Sequence, residues 1–176
     1  WSASKDAAGP RLESIVINTE TGVLLERRRP ELRTTTRGGT EVDLVVDMTT
    51  HHPLRDGLEC RFCYGAGAAR EEGWFPFRQV VKVDLSASPA TAEVWDADDT
   101  SVVSEPLFLP REDGATRWRG PEHEDDGWLV SVVSNAETER SELFVFDAQR
   151  VGDGPIAAID LGELCPWSIH GHWVPR

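Results

Sequence analysis

No apolar run in the chain approaches the roughly 18 consecutive residues that a helical membrane span requires. The longest candidate, Trp128 to Val133, is interrupted by Ser131 and has the length of a strand. Basic residues are scarce as well: 18 Lys and Arg stand against 31 Asp and Glu, for a net charge of -13. A nucleic-acid-binding domain carries a basic stripe that neutralises phosphates. The one basic cluster here, Arg27-Arg28-Arg29, is too short for that task. Nothing has the layout of a signal peptide. The first residue is Trp1 rather than Met, so the chain reads as processed or as a piece of a longer one, with any targeting signal outside it.

Cysteine is equally sparse. Cys60, Cys63 and Cys165 are an odd number and do not form a disulfide framework. The Cys60-x-x-Cys63 spacing fits a redox pair or half of a zinc site. A redox pair needs a helix start after it, and Arg61-Phe62 and Tyr64-Gly65 read as strand instead. A zinc site needs a second pair, which the sequence does not supply. Chance spacing is the simplest reading.

Also missing is any sustained helical period. The apolar residues fall instead into about eleven short β-rich stretches separated by Gly, Pro, Asn and Asp turns. These are 12–18, 23–26, 41–48, 60–64, 77–85, 92–95, 104–110, 128–135, 142–147, 156–161 and the segment around His170. The glycines at 65 and 67 are expected to close the fourth, and 111–126 to form a polar loop. Short, regularly spaced strands indicate a sandwich, barrel or propeller. The hairpins Val80-to-Trp95 and Trp128-to-Asp147 share one layout, which favours repeated propeller blades of about 40–45 residues. By that measure 176 residues give too few blades for a closed ring. The fold expected is all-β, in one domain.

What chemistry is present gathers at the end, in Ser168-Ile-His-Gly-His-Trp-Val-Pro-Arg176. If this segment is a strand, His170 and His172 project to one face, and neutral imidazole is a common metal ligand. On spacing alone, solvent-facing histidines are the commoner outcome. A small zinc module of Cys165, His170 and His172 is a weaker alternative. His123, Glu124, Asp125 and Asp126 could hold a cation through oxygen ligands, but the irregular spacing favours a solvated turn. Trp74-Phe-Pro-Phe77 is an apolar run that either packs in the core or faces a membrane.

Several motifs occur in a fixed order: Arg61-Phe-Cys-Tyr-Gly65, Lys82-Val-Asp-Leu85, Val103-Ser-Glu-Pro-Leu-Phe-Leu-Pro110, Glu124-Asp-Asp-Gly-Trp128, Ser141-Glu-Leu-Phe-Val-Phe-Asp-Ala148 and His170-Gly-His-Trp-Val174. This succession resembles the C-terminal part of the carotenoid cleavage oxygenases. The likeness spans residues 1–176 and is strongest over 77–176. It implies the C-terminal blades of a seven-bladed β-propeller, as an incomplete ring. It also implies a parent enzyme that holds one iron(II) with four histidines. Such an enzyme cleaves a conjugated C=C bond of a carotenoid or apocarotenoid with O2 and gives carbonyl products.

The resemblance makes His170 the last of those ligands and leaves His172 at a variable, non-ligand position. Glu105 becomes a hydrogen-bond partner for a ligand imidazole. His51, in His51-His52-Pro53, stands where the family has a second such glutamate. The other three ligands belong upstream, so an alternative reading is a catalytically inactive propeller relic or interaction domain. Peripheral membrane contact is compatible with the resemblance, as is a cytoplasmic or plastid location. No nucleic-acid partner is expected.

Overall fold

The computed structural model describes residues 9–69, 75–111, 118–163, 165 and 170–174. Its fold is all-β. Strands β1 (Ser14–Ile17) and β2 (Leu24–Arg28) form a separate hairpin, turned by Asn18, whose side-chain oxygen accepts from the Glu20 and Thr21 amides. Strands β3 (Arg33–Thr35), β4 (Glu41–Thr50), β5 (Phe62–Ala69), β6 (Gln79–Asp84) and β7 (Thr91–Asp96) make an antiparallel sheet in chain order. A second sheet contains β8 (Ser101–Val103), β9 (Leu107–Pro110), β10 (Gly127–Asn135), β11 (Arg140–Asp147) and β12 (Pro155–Glu163). Both β8 and β9 pair with β10, so they are two halves of one interrupted strand. These are two consecutive propeller blades and a hairpin, part of a ring. No helix among the described residues is long and apolar enough to cross a membrane.

The blades pack face to face. Val45, Tyr64, Ala66, Phe77 and Val80 of the first sheet meet Val103, Phe108, Leu129, Val133 and Phe146 of the second. The period of two sends Leu44, Val46, Cys63, Val81 and Val83 to the opposite face, where they form a second buried cluster with Leu32. The first sheet is therefore apolar on both sides. The second sheet buries one side; on the other, the register lines up Val132 with Leu143 and Ile159, and Val130 with Val145 and Ala157. Ile159 on that face remains 52% exposed. Ile15, Ile17 and Leu25 of the hairpin are likewise exposed.

Several sequence expectations change. The strand at 60–64 does not stop at its glycines: β5 runs on to Ala69 as the central strand of its sheet. Glycine serves close packing there. A Cβ on Gly67 would lie 2.5 Å from Val81 Cγ2 and 3.0 Å from the Val45 carbonyl. Replacing Gly67 by alanine should therefore cost about 1–3 kcal/mol through overpacking, read as a lower midpoint of denaturant unfolding. The two hairpins with a shared layout are not equivalent: β6–β7 ends its sheet, whereas β10–β11 is followed by β12. β3 and β8 were not anticipated. Phe77 is 1% exposed and Phe75, partly buried, packs against the same cluster, whereas Pro76 is exposed; Trp74 lies outside the described residues. Residues 170–174 carry no regular secondary structure, so the argument that His170 and His172 share a strand face does not apply.

Candidate metal centre

Glu105 owes its position to an irregularity in the second sheet. β8 pairs with β10 at Val103 opposite Val133, and pairing resumes in β9 at Leu107 opposite Val130. Three residues, Ser104, Glu105 and Pro106, thus face two, Ser131 and Val132, which is a β-bulge. The Ser104 amide donates to the Val132 carbonyl at 2.9 Å. The Val132 amide donates to Ser104 Oγ at 3.0 Å, and Ser131 Oγ donates to the Ser104 carbonyl at 2.9 Å. Pro106 is fully buried and has no N–H to leave unpaired.

The Glu105 side chain is 14% exposed, and its carboxylate faces the C-terminal segment. It accepts the Gly171 amide at 3.0 Å and lies 3.4 Å from His170 Nδ1. The His170 ring is 78% exposed. A carboxylate at Nδ1 holds the ring proton there and makes Nε2 the atom with the lone pair, the tautomer a metal needs. The donor set fits a metal-binding imidazole with a carboxylate behind it. Among the described residues, no group of three His, Cys, Asp or Glu comes together to hold an ion. The Cys165–His170–His172 module is therefore not assembled. The Cys165 amide instead donates to Ser141 Oγ at 2.9 Å.

The other candidates sit elsewhere. His51 Nε2 lies 2.9 Å from Asp56 Oδ1. His52 is buried, accepts the Leu54 amide on Nδ1 at 3.2 Å and packs against Phe108 and Trp118. Burial pushes its pKa below the usual imidazole value, which keeps the ring neutral. Cys63 is buried and its thiol is pushed up to about 12, chiefly by desolvation; burial raises Cys60 too. Burial thus disfavours the reactive thiolate form in both.

The acidic turn is a buried latch rather than a solvated loop. Glu124 is 3% exposed, and its Oε1 accepts the amides of Arg61 at 2.5 Å and Phe62 at 2.9 Å. Asp125 pairs with buried Lys82 at 2.8 Å. Asp126 holds Arg111 and Arg119, and His123 stands beside Arg119. A Cβ on Gly127 would meet the Leu109 carbonyl at 2.6 Å, so only glycine fits there. Sequence reasoning missed this latch, although Lys82 between two valines was a visible signal. It also missed the bulge, although proline just inside a strand pattern marks one.

These features match known proteins. A profile of the family described as retinal pigment epithelial membrane protein matches residues 2–175. The apocarotenoid-15,15'-oxygenase of Synechocystis sp. is 33% identical over 122 residues, covering 69% of this chain and 23% of that protein. Isoeugenol monooxygenase of Pseudomonas nitroreducens is 36% identical over 84 residues, covering 48% of this chain and 16% of that protein. The crystal structure of cobalt-substituted Synechocystis apocarotenoid oxygenase superposes with a TM-score of 0.73 at 27% identity, over 95% of this chain and 31% of the other. The chain spans less than a third of each of these proteins. The family match over nearly the whole length, together with the superposition of both blades, shows that the chain belongs to the retinal pigment epithelial membrane protein family, that of the carotenoid and apocarotenoid oxygenases.

Proposed function

We propose that this chain is the C-terminal part of a non-haem iron(II) dioxygenase acting on a carotenoid or apocarotenoid. The observation that carries the reading is the Glu105 carboxylate set against the His170–Gly171 segment, inside a chain of this family. His170 supplies one neutral imidazole through Nε2. Glu105 orients that ring and raises its basicity. The remaining ligands come from polypeptide outside these 176 residues, which accords with the share of each relative that the chain covers. The uncovered apolar faces of β1–β2 and of the second sheet fit burial against further blades.

When bound, iron(II) held by neutral ligands keeps open positions and supplies the centre at which dioxygen reacts. The net reaction breaks one C=C bond and places one oxygen atom of O2 on each carbon, giving two carbonyl products. Substrate class follows the named carotenoid and apocarotenoid relatives; isoeugenol monooxygenase shows that a family name can carry a smaller alkene.

In the native polypeptide, His170→Ala is expected to reduce retained iron from about one atom per protein to near zero and to abolish polyene cleavage. Iron content by elemental analysis decides the ligand assignment, and normal loading would overturn it. Glu105→Gln should weaken iron binding about 10–100-fold without removing it.

A further inference from the structure

We propose that Ser104 and Ser131 are positioning residues for the metal-binding histidine. They hold open the bulge that aims the Glu105 carboxylate at the His170–Gly171 segment. The inference rests on the reading of His170 as an iron ligand.

The register shows why a bulge is needed. In an unbroken ladder, residue 105 would lie two positions from Val103 and share its face. That face is the core between the sheets, where Val103 is fully buried in the apolar cluster that holds Phe108, Leu129, Val133 and Phe146. One inserted residue shifts the phase. Leu107 then pairs with Val130 on the other face, and Gly171 packs over Leu107, its Cβ position 3.0 Å from Leu107 Cδ1. Glu105 emerges on the side where the C-terminal segment passes.

A bulge interrupts the ladder, and its orphaned backbone groups must find partners. The two serines supply them. Ser104 Oγ replaces the missing acceptor for the Val132 amide. Ser131 Oγ donates to the Ser104 carbonyl. Both serines are nearly buried, at 5% and 2% exposure, so water cannot readily take their place. Without these hydroxyls the extra residue can migrate along the strand, and Glu105 loses its fixed aim. A purely structural role would hold the sheet together but leave the C-terminal segment and the metal unaffected.

The native polypeptide separates these roles. Apo protein is titrated with iron(II) under anaerobic chelator competition, and hydrogen exchange is followed by mass spectrometry in the peptide containing Gly171. Ser104→Ala is expected to weaken iron binding about tenfold and to speed Gly171 exchange to the rate seen in Glu105→Gln. Ser104→Thr keeps the acceptor and should restore both. Ser131→Ala should shift both readouts in the same direction by less, and it decides the matter if Ser104→Ala does not fold. Wild-type iron affinity in the alanine variants would overturn the proposal, whether or not exchange is altered. If His170→Ala retained iron, the ligand assignment itself would fail. Tenfold weakening in Ser104→Ala without faster Gly171 exchange would overturn the route through Glu105.

Discussion

Replacing Glu124 by alanine is expected to destabilise the fold by about 3–5 kcal/mol, more than any single hydrogen bond would suggest. One oxygen of this buried carboxylate accepts two amides, those of Arg61 and Phe62, at the start of the central strand β5. Truncation leaves the buried Phe62 amide and the part-buried Arg61 amide without their acceptor, at about 1–3 kcal/mol for each donor kept from water, and removes a carboxylate from a buried site. Water cannot easily replace the carboxylate where Glu124 itself is 3% exposed and Phe62 is buried. Glu124→Gln keeps an acceptor oxygen in the same place and should cost only about 1 kcal/mol. Denaturant unfolding midpoints give the totals, and exchange of the Arg61 and Phe62 amides gives the local part. Equal effects of alanine and glutamine would mean that charge, not acceptor geometry, holds the latch.

The latch explains why the family was legible in the sequence. Arg61 N–H and Phe62 N–H go to Glu124, and the Arg61 side chain pairs with Asp84 at 2.7 Å. Tyr64 stacks on Phe108 with centroids 5.3 Å apart. Lys82 meets Asp125. The motifs that carry the resemblance are thus largely the contacts that fasten one blade to the next. They need particular residue types at particular positions, so they leave a pattern in the sequence itself.

Other features left weaker traces. β3 and β8 are three residues each, too short to show a period of two. β5 is small and glycine-rich because its neighbours' valines fill the space over it, and such a strand imitates a turn. The end of the chain was read as a strand from its alternation, but its residues answer to Glu105, 65 positions away, rather than to a ladder. His170 and Glu105 were nameable through the resemblance. Their meeting, and the serine-braced bulge behind it, depend on which strand lies beside β10. Long-range pairing of that kind has no local signature.

The pair Lys82–Asp125 provides the second large effect. The side chains are 6% and 15% exposed and lie 2.8 Å apart. The ammonium also donates to the Gln149 carbonyl at 3.3 Å and sits 4.4 Å above the Phe62 ring. Removing Asp125 leaves the cation with a carbonyl, a ring and, directly opposite in the register and lining the same cleft, Glu93. The ring returns about 0.5–2 kcal/mol, less than the several kcal/mol of desolvation that the ammonium bears. Asp125→Ala should therefore destabilise by about 2–4 kcal/mol, less than a wholly unpaired buried charge would cost, because Glu93 shares the face of Lys82. The pair itself, however, gains little over an apolar substitute, because both charges give up their hydration to form it. The double change Lys82→Met with Asp125→Leu should return stability to within about 1 kcal/mol of the native value, or exceed it. A double-mutant cycle then yields a large coupling energy from a pair whose joint replacement is almost free. If Asp125→Ala alone cost less than about 1 kcal/mol, solvent would have to reach the ammonium, and the ion pair would not be a fastening between the blades.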